Sequence, residues 1–264
     1  MVAQGAQEPA QKVTRMKFRW FSQAAFILYM MAPAIGHGEE IRVAAASNFR
    51  PAMKALAKRF EANTGVELTL IFGSTGKQYA QIRNGAPFDV FLAADTERPA
   101  LLEQEGMAVA GSRFTYALGK LVLWSPKKDV VDSQGLVLQH GEFRRLAIAN
   151  PGLAPYGKAA QQTLESLGLW DKLDERLVLG ENIGQTFHFV SSGAAELGLV
   201  ALSQIKHPGR PIKGSYWEVP HTLFEPIEQQ AVLLKESAAA RQFLEFIRSW
   251  PAMKVIAEFG YGAP

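Results

Sequence analysis

One pattern recurs along this chain: a short apolar run, a turn of small polar residues, and then the apolar periodicity of a helix. In the first copy, an apolar β run ends near Ala45, Ser47 and Asn48 form the turn, and helical spacing begins at Ala52. Further copies lie at residues 71–78, 149–158 and 178–186. Strands that alternate with helices in this way predict parallel α/β sheets with helices on both faces.

The four turns also predict a place for an anion. The first N–H groups of a helix lack intrahelical partners and carry a partial positive charge. Ligands of open α/β sheets bind beyond the carboxyl ends of the strands, so four such turns can converge on one cleft. A single Ser-Asn pair is ordinarily interpreted as a helix N-cap. The recurrence of the pattern favours a binding site instead.

The first 38 residues predict a leader that is separate from the fold. A basic segment at Met16–Arg19 precedes a mostly apolar stretch, Phe21–Ile35, and small residues follow up to Gly38. This is the three-part pattern of a secretory signal peptide, with cleavage expected near Gly38. Residues 1–15 are interpreted as an upstream extension, and Met16 is a candidate start. The alternative is a membrane anchor, but about fifteen apolar residues are short for a span.

Removing the leader changes the charge of the protein. The whole chain has 28 basic and 25 acidic residues, and the leader holds four of the former and one of the latter. The mature protein is therefore expected to be neutral, with 24 of each. Nucleic-acid binding needs a basic face, so it is not predicted. The absence of cysteine excludes disulfides and thiolate chemistry.

Enzyme motifs fail on spacing. The turn at residues 73–77 resembles part of a phosphate-binding loop, but Ile71 stands where that motif needs its first glycine. Ser74 does not lie in a nucleophile elbow, because Phe72 replaces the required glycine two residues earlier. The five histidines show no metal-ligand spacing. We therefore expect no catalytic residues, no cofactor and no bound metal cation.

The second half of the chain predicts a second lobe. Strands are expected between about residues 120 and 220, with an irregular stretch at 212–220. An extended run at 224–234 would return the chain to the first lobe, which the two C-terminal helices would complete. The expected boundaries are residues 39–118 plus 224–264 for lobe I and residues 119–223 for lobe II, with two crossings between the lobes.

Six segments, in order and with compatible spacing, resemble the periplasmic molybdate-binding protein of the molybdate ABC transporter. The segments are Ala44-Ala-Ala-Ser-Asn-Phe49, Phe72-Gly-Ser-Thr-Gly-Lys-Gln-Tyr79, Asn84-Gly-Ala-Pro-Phe-Asp-Val90, Asn150-Pro-Gly-Leu-Ala-Pro-Tyr-Gly157, Gly180-Glu-Asn-Ile-Gly-Gln-Thr186 and Glu196-Leu-Gly-Leu-Val-Ala-Leu-Ser203. The resemblance covers about residues 40 to 260. It implies a type II periplasmic binding protein fold, an α/β fold with two lobes, a ligand cleft between them and two crossover hinge strands.

The resemblance also implies the ligand contacts of the first lobe. Ser47 matches the family's first hydroxyl position and is followed here by Asn48. Thr75 matches the second hydroxyl position, in the Gly-Ser-Thr-Gly turn, and Ser74 lies beside it.

The contacts of the second lobe are implied in the same way. Tyr156 matches a backbone donor after the proline of the Asn-Pro loop, and Ile183 matches a backbone donor in the Glu-Asn-Ile turn. One branch of the family has a ligand-binding tyrosine in the strand at 197–202, where this chain has Ala201. A second branch supplies the hydroxyl from the position of Tyr156, and this sequence resembles that branch.

A tetrahedral oxyanion suits these residues. Molybdate is a dianion without a proton at neutral pH, so its site needs only donors, such as hydroxyl, amide and backbone N–H groups. The resemblance implies molybdate or tungstate as ligand, a membrane permease of an ABC transporter as partner, and a monomer in the periplasm. The alternatives left open are sulfate or phosphate on the same scaffold, an enzyme on this fold, and a DNA-binding regulator. A phosphate site benefits from a buried acceptor, but no Asp lies at the turns, and Glu181 is interpreted as a surface residue.

Overall fold

The computed structural model describes residues 40–264, so the predicted signal peptide and its cleavage site lie outside the described residues. Residues 40–264 form ten β-strands and ten α-helices. The strands are β1 (Glu40–Ala46), β2 (Glu67–Gly73), β3 (Val90–Leu92), β4 (Phe114–Gly119), β5 (Leu121–Ser125), β6 (Leu146–Ala149), β7 (Leu177–Gly180), β8 (Leu197–Ala201), β9 (Ser215–Glu218) and β10 (Ile227–Leu233).

The helices follow the strands in the order that the sequence pattern predicts. They are α1 (Arg50–Thr64), α2 (Thr75–Arg83), α3 (Glu97–Gln104), α4 (Val137–His140), α5 (Pro155–Ser166), α6 (Trp170–Leu173), α7 (Ile183–Ser191), α8 (Leu202–Ile205), α9 (Ala238–Arg248) and α10 (Trp250–Glu258). Within the described residues, none of these helices has the length and apolarity that crossing a membrane requires.

The strands form two five-stranded sheets with the same plan. The first sheet has the order β2-β1-β3-β10-β4, and the second has the order β7-β6-β8-β5-β9. In each sheet the first three strands are parallel, and the last two join by antiparallel pairing. The predicted parallel order is therefore correct for the strands that precede the polar turns. Each sheet as a whole is mixed, and the fold consists of two α/β lobes.

The chain crosses between the sheets twice. The first crossing is at Lys120, because β4 belongs to the first sheet and β5, which follows directly, to the second. The second crossing lies between β9 in the second sheet and β10 in the first. The residue boundaries of the two lobes stay a prediction.

The prediction that residues 212–220 are irregular is wrong, because β9 lies within them. This edge strand pairs with β5, from Val122 opposite Glu218 to Ser125 opposite Ser215. Its side chains alternate: Trp217 is buried, while Tyr216 is exposed. A half-exposed strand of four residues has too few apolar positions to stand out as an apolar run.

Helix α1 shows how apolar spacing fixes an element in the first lobe. Ala52, Leu56 and Phe60 recur at helical spacing, and all three are buried in the core beneath the first sheet. Phe60 packs edge-on against Phe243 of α9, with 5.2 Å between ring centroids. The C-terminal helices therefore cover the first sheet, as the sequence predicts.

Candidate functional site

The polar turns lie at the carboxyl ends of the parallel strands and are buried. All six predicted site residues are at most 5 % exposed, although they lie at or next to strand ends and helix starts, where solvent is usually close. These residues are Ser47, Asn48, Ser74, Thr75, Tyr156 and Ile183. Contacts between the turns of the two lobes explain the burial.

Ser47 does not cap its own helix. Residues 47–49 form a single 3₁₀ turn before α1, and no side chain caps the start of either helix. The Ser47 hydroxyl oxygen instead accepts a hydrogen bond from the backbone N–H of Gly184 in the other lobe, at 3.2 Å. The N-cap interpretation is therefore wrong here. Pro51 in the first turn of α1 has no N–H to be capped, which removes part of the need for a cap.

The turn before α2 uses its two hydroxyls differently. Ser74 is the N-cap, and its hydroxyl oxygen accepts from the backbone N–H of Lys77 at 3.4 Å. Thr75 is 1 % exposed, and its hydroxyl oxygen accepts from the backbone N–H of Ala94 at 3.1 Å. Both bonds use the oxygen as acceptor, so the hydroxyl protons remain available for donation.

Tyr156 places a phenol between the two crossings. Its hydroxyl oxygen accepts from Gln229 Nε2 on β10 at 3.2 Å. A Cβ on Gly119, at the first crossing, would overlap the same hydroxyl, so glycine is needed for this close approach. Burial, followed by the nearby Tyr261, raises the pKa of Tyr156 well above its usual value, and the hydrogen bond from Gln229 opposes this more weakly. Tyr156 therefore keeps its proton at any physiological pH.

Three helix starts supply backbone donors. Asn182 caps α7, and its side-chain oxygen accepts from the N–H groups of Gly184 at 2.9 Å and Gln185 at 3.1 Å. Asn182 leaves the N–H of Ile183 unused. Among the described residues, the first-turn N–H groups of Thr75, Tyr156 and Ile183 have no backbone acceptor. Free N–H groups at helix N-termini favour an anion.

Asn48 differs from the others because its amide hydrogens are already engaged. The side-chain nitrogen donates to Gln229 Oε1 and to the Tyr261 hydroxyl, both at 2.9 Å. Its side-chain oxygen is buried without a donor among the described residues. The Asn48 backbone oxygen accepts from the hydroxyls of Ser203 and Tyr261, both at 3.0 Å. Asn48 thus fixes the turn to both lobes, and its side chain has no free hydrogen for a ligand.

The lysines near the turns are paired outside the buried site. Lys77 lies 2.7 Å from Glu181 of the other lobe, and both side chains are about half exposed at 48 %. Lys158 lies 2.8 Å from Glu225. Solvent screens exposed pairs of this kind, so they contribute little to stability. Glu181 is a surface residue, as predicted, and the buried donors are neutral.

Contacts across the cleft bring the turns of the two lobes together. Besides the bond between Ser47 and Gly184, the backbone N–H of Gly76 in α2 donates to the Leu153 oxygen in the loop before α5, at 2.9 Å. Within the second lobe, Gln204, next to β8, donates to the Ile183 oxygen at 2.8 Å. The four predicted turns therefore do converge, in a conformation with the lobes closed on each other.

Sequence reasoning missed the buried partners behind these turns. Gln229 and Tyr116 lie on two strands of the first sheet, and Tyr261 lies near the C-terminus. All three join the cluster around Asn48 through bonds that span 113 to 213 residues of sequence. No local pattern marks such long-range partners. Asn182 could have been found, since an Asn directly before an apolar helix is a common N-cap.

Two α/β lobes, two crossings and a buried cluster of donors between the lobes define a solute-binding protein. The sequence profile described as bacterial extracellular solute-binding protein matches residues 41–262. The chain therefore belongs to the family of bacterial extracellular solute-binding proteins.

Individual relatives are described more specifically. The chain is 49 % identical over 249 residues to the molybdate-binding protein ModA of Azotobacter vinelandii, covering 90 % of this chain and 99 % of that protein. It is 43 % identical over 240 residues to ModA of Rhodobacter capsulatus, covering 90 % and 93 %. The solved structure of the Azotobacter vinelandii periplasmic molybdate-binding protein superposes with a TM-score of 0.83 at 46 % identity, covering 85 % of this chain and 99 % of that one. These matches confirm the resemblance drawn from the six sequence segments.

Proposed function

We propose that this chain is an extracytoplasmic binding protein that captures molybdate between its two lobes and delivers it to an ABC permease. The observation that carries the proposal is the state of the buried hydroxyls. Ser47, Thr75 and Tyr156 each accept a hydrogen bond from a protein N–H group, so each keeps its proton for a ligand. The relatives described as molybdate-binding proteins support the choice of ion.

The donor set suits a fully deprotonated tetrahedral dianion. Four acceptor oxygens can share the three hydroxyl protons and the unused N–H groups of Thr75, Tyr156 and Ile183. Three helix N-termini add partial positive charge, about half a unit each. The Ser74 hydroxyl accepts the capping bond from Lys77 and keeps its proton in the same way, so Ser74 is a further candidate contact. The site residues Ser47, Ser74, Thr75, Tyr156 and Ile183 are proposed as ligand contacts on these grounds.

Asn48 is proposed to contribute through its position rather than through its amide hydrogens. Its side-chain nitrogen is engaged by Gln229 and Tyr261, so only its backbone N–H is offered to the ligand. One observation favours a second candidate ligand: the Asn48 side-chain oxygen is a buried acceptor without a donor among the described residues. Hydrogenphosphate has an O–H group that could donate a hydrogen bond to such an acceptor, so phosphate is included in the binding experiment.

Isothermal titration with molybdate, tungstate, sulfate and phosphate tests this proposal. Molybdate and sulfate have equal charge and the same four acceptors, so only size separates them. Sulfate is smaller and would leave some hydrogen bonds long, at roughly 1.5–3 kcal/mol for each lost bond to a charged group. Two such losses give roughly hundredfold to ten-thousandfold weaker binding of sulfate. Tungstate, which is nearly the size of molybdate, should bind about as well. Sulfate or phosphate within threefold of molybdate would overturn the proposal.

Export and partners follow from the same proposal. The predicted signal peptide is expected to direct the chain to the periplasm, where the mature protein acts as a monomer and docks on a membrane permease. Lobe I is proposed to be residues 39–118 plus 224–264, and lobe II residues 119–223. Expression with the leader in a Gram-negative host, followed by intact mass spectrometry, tests the export step. A periplasmic protein that still contains residues 20 to 30 would contradict it.

A further inference from the structure

Gln229 is a buried glutamine at the centre of the cluster behind the site. It is 0 % exposed and lies in β10, the strand that follows the second crossing. Its Oε1 accepts from Asn48 Nδ2 at 2.9 Å and lies 3.0 Å from the Tyr116 hydroxyl. Its Nε2 donates to the Tyr156 hydroxyl at 3.2 Å. One carboxamide thus contacts residues of both lobes.

A β-bulge aims this side chain. Gln229 pairs with Ala117 of β4, but the next residue, Gln230, pairs with Thr115. Tyr116 is therefore an extra residue in β4. Bulges re-aim side chains next to functional sites. Here the bulge lets Tyr116 and Gln229, from neighbouring strands, meet in the same cluster.

The partners of Gln229 fix which end of its carboxamide faces Tyr156. The Asn48 NH₂ group lies between two acceptors, the Gln229 oxygen and the Tyr261 hydroxyl, so the oxygen of Gln229 faces Asn48. The NH₂ group of Gln229 then faces the Tyr156 phenol and occupies its oxygen as an acceptor. The phenol proton must therefore point away from β10. Without this donor, the phenol could donate its own proton to a protein acceptor.

We propose that Gln229 is a positioning residue that holds the Tyr156 phenol as a donor toward the bound oxyanion. It does not contact the ligand itself, and it couples the donor to the strand that follows the second crossing. This inference rests on the proposed function, since Tyr156 is taken as a ligand contact. A glutamine that served only to fill the core would act on stability, and its effect on binding would not depend on the Tyr156 hydroxyl.

A double-mutant cycle separates the two roles. Gln229→Met, Tyr156→Phe and the double variant are titrated with molybdate, and Gln230→Leu is the matched control. Gln230 is the neighbouring buried glutamine, but its side chain bonds Arg113 and Thr115 instead of the site. Gln229→Met is expected to weaken molybdate binding about twofold to tenfold, the range of one neutral hydrogen bond. The effect should disappear in the Tyr156→Phe background. Equal fold-losses in both backgrounds would overturn the positioning role.

A ligand-free measurement keeps the inference separate from the identity of the ligand. The intensity ratio of the tyrosine doublet in the Raman spectrum distinguishes a phenol that accepts a hydrogen bond from one that donates. The spectrum of Tyr156 is obtained as the difference between the wild type and Tyr156→Phe, and it should show an acceptor. In Gln229→Glu, measured at a pH at which the carboxylate is ionised and cannot donate, the Tyr156 signal should change to that of a donor. An unchanged signal would overturn the inference.

The two failures give different results. If the wild-type protein did not bind molybdate, the proposed function would fail, and the Raman result would still decide whether Gln229 orients Tyr156. If the wild type bound molybdate and the cycle was additive, the function would stand and the positioning role would fail. Circular dichroism of each variant shows whether it is folded. Gln229→Glu supplies the decision if Gln229→Met does not fold.

Discussion

The hydroxyl of Thr75 shows at the scale of single residues how the protein prepares a donor. Its oxygen accepts from the Ala94 N–H, so its proton is free. Thr75→Ala should weaken molybdate binding about tenfold or more, since a hydrogen bond to a charged group contributes roughly 1.5–3 kcal/mol. Thr75→Ser, which keeps the hydroxyl, is the matched control and should bind within about threefold of the wild type. Isothermal titration measures both. Equal losses in the two variants would show that the lost methyl group matters, and not the hydroxyl.

Buried tyrosines also give the protein a pH dependence at the residue scale. Burial raises the pKa of Tyr116, Tyr156 and Tyr261 above the usual value of a phenol. These groups release protons in the unfolded chain near pH 10, while the folded protein holds them. Above about pH 10 the unfolded state therefore binds fewer protons than the folded state. The free energy of unfolding keeps its full value below about pH 10 and decreases as the pH rises further.

The limiting slope is about 1.4 kcal/mol per pH unit for each such tyrosine. Urea unfolding between about pH 8 and pH 11 measures it. Tyr116→Phe removes one of the three groups and should make the alkaline slope shallower. A slope that is identical in wild type and Tyr116→Phe would show that Tyr116 ionises equally in both states.

Sequence reasoning reaches some of these residues and not others. Ser47, Thr75 and Tyr156 lie in motifs directly after strands, so both the pattern and the resemblance point to them. Asn48 also lies in a motif, but its amide is used within the protein, which only the bonds to Gln229 and Tyr261 reveal. These partners are 181 and 213 residues away in the chain. Contacts between residues so far apart in the chain depend on how the sheets pack together, so a local motif does not predict them.

At the scale of elements, the first crossing depends on a glycine that permits close packing. A Cβ on Gly119 would overlap the Tyr156 hydroxyl and lie 2.8 Å from Gln229 Nε2. Gly119→Ala should therefore lower both the affinity for molybdate and the free energy of unfolding, by about 1–3 kcal/mol for overpacking. Gly152→Ala is the control, since its nearest neighbour would be the Asn150 side-chain oxygen at 3.4 Å. Titration and urea unfolding of both variants check this. Equal effects at the two glycines would contradict the packing argument.

The elements themselves were predicted well where they are long and periodic. Helices α1, α9 and α10 follow their apolar spacing, and β1 and β2 follow their apolar runs. Edge strand β9 was missed because only alternate positions are buried. The break at Lys120 was also invisible, since Phe114–Gly119 and Leu121–Ser125 form one extended stretch in the sequence. Only the strand pairing divides this stretch, because β4 pairs with β10 in the first sheet and β5 pairs with β8 in the second.

At the scale of the whole molecule, the contacts across the cleft are individually weak. They include the bond from Gly184 to Ser47, the bond from Gly76 to Leu153, and the exposed pair of Lys77 and Glu181. Net contributions are about 0.5–1.5 kcal/mol for a hydrogen bond and less for an exposed ion pair. A ligand that bridges both lobes would add several stronger bonds to charged oxygens. We therefore expect closure to depend on the ligand.

Small-angle X-ray scattering tests this expectation, which places the hinges at residues 116–120 and 220–226. The ligand-free protein should have the larger radius of gyration, because the weak contacts alone leave open conformations populated. Saturating molybdate should reduce the radius and bring the scattering curve to that calculated from the closed structure of residues 40–264. Sulfate at the same concentration is the control and should leave the curve of the ligand-free protein unchanged. If molybdate bound with no change in the radius, the lobes would be closed before binding. The donors of Ser47, Thr75 and Tyr156 would then already be arranged for the ion in the ligand-free protein. The ion would enter through local opening of the turns and not through motion of the lobes.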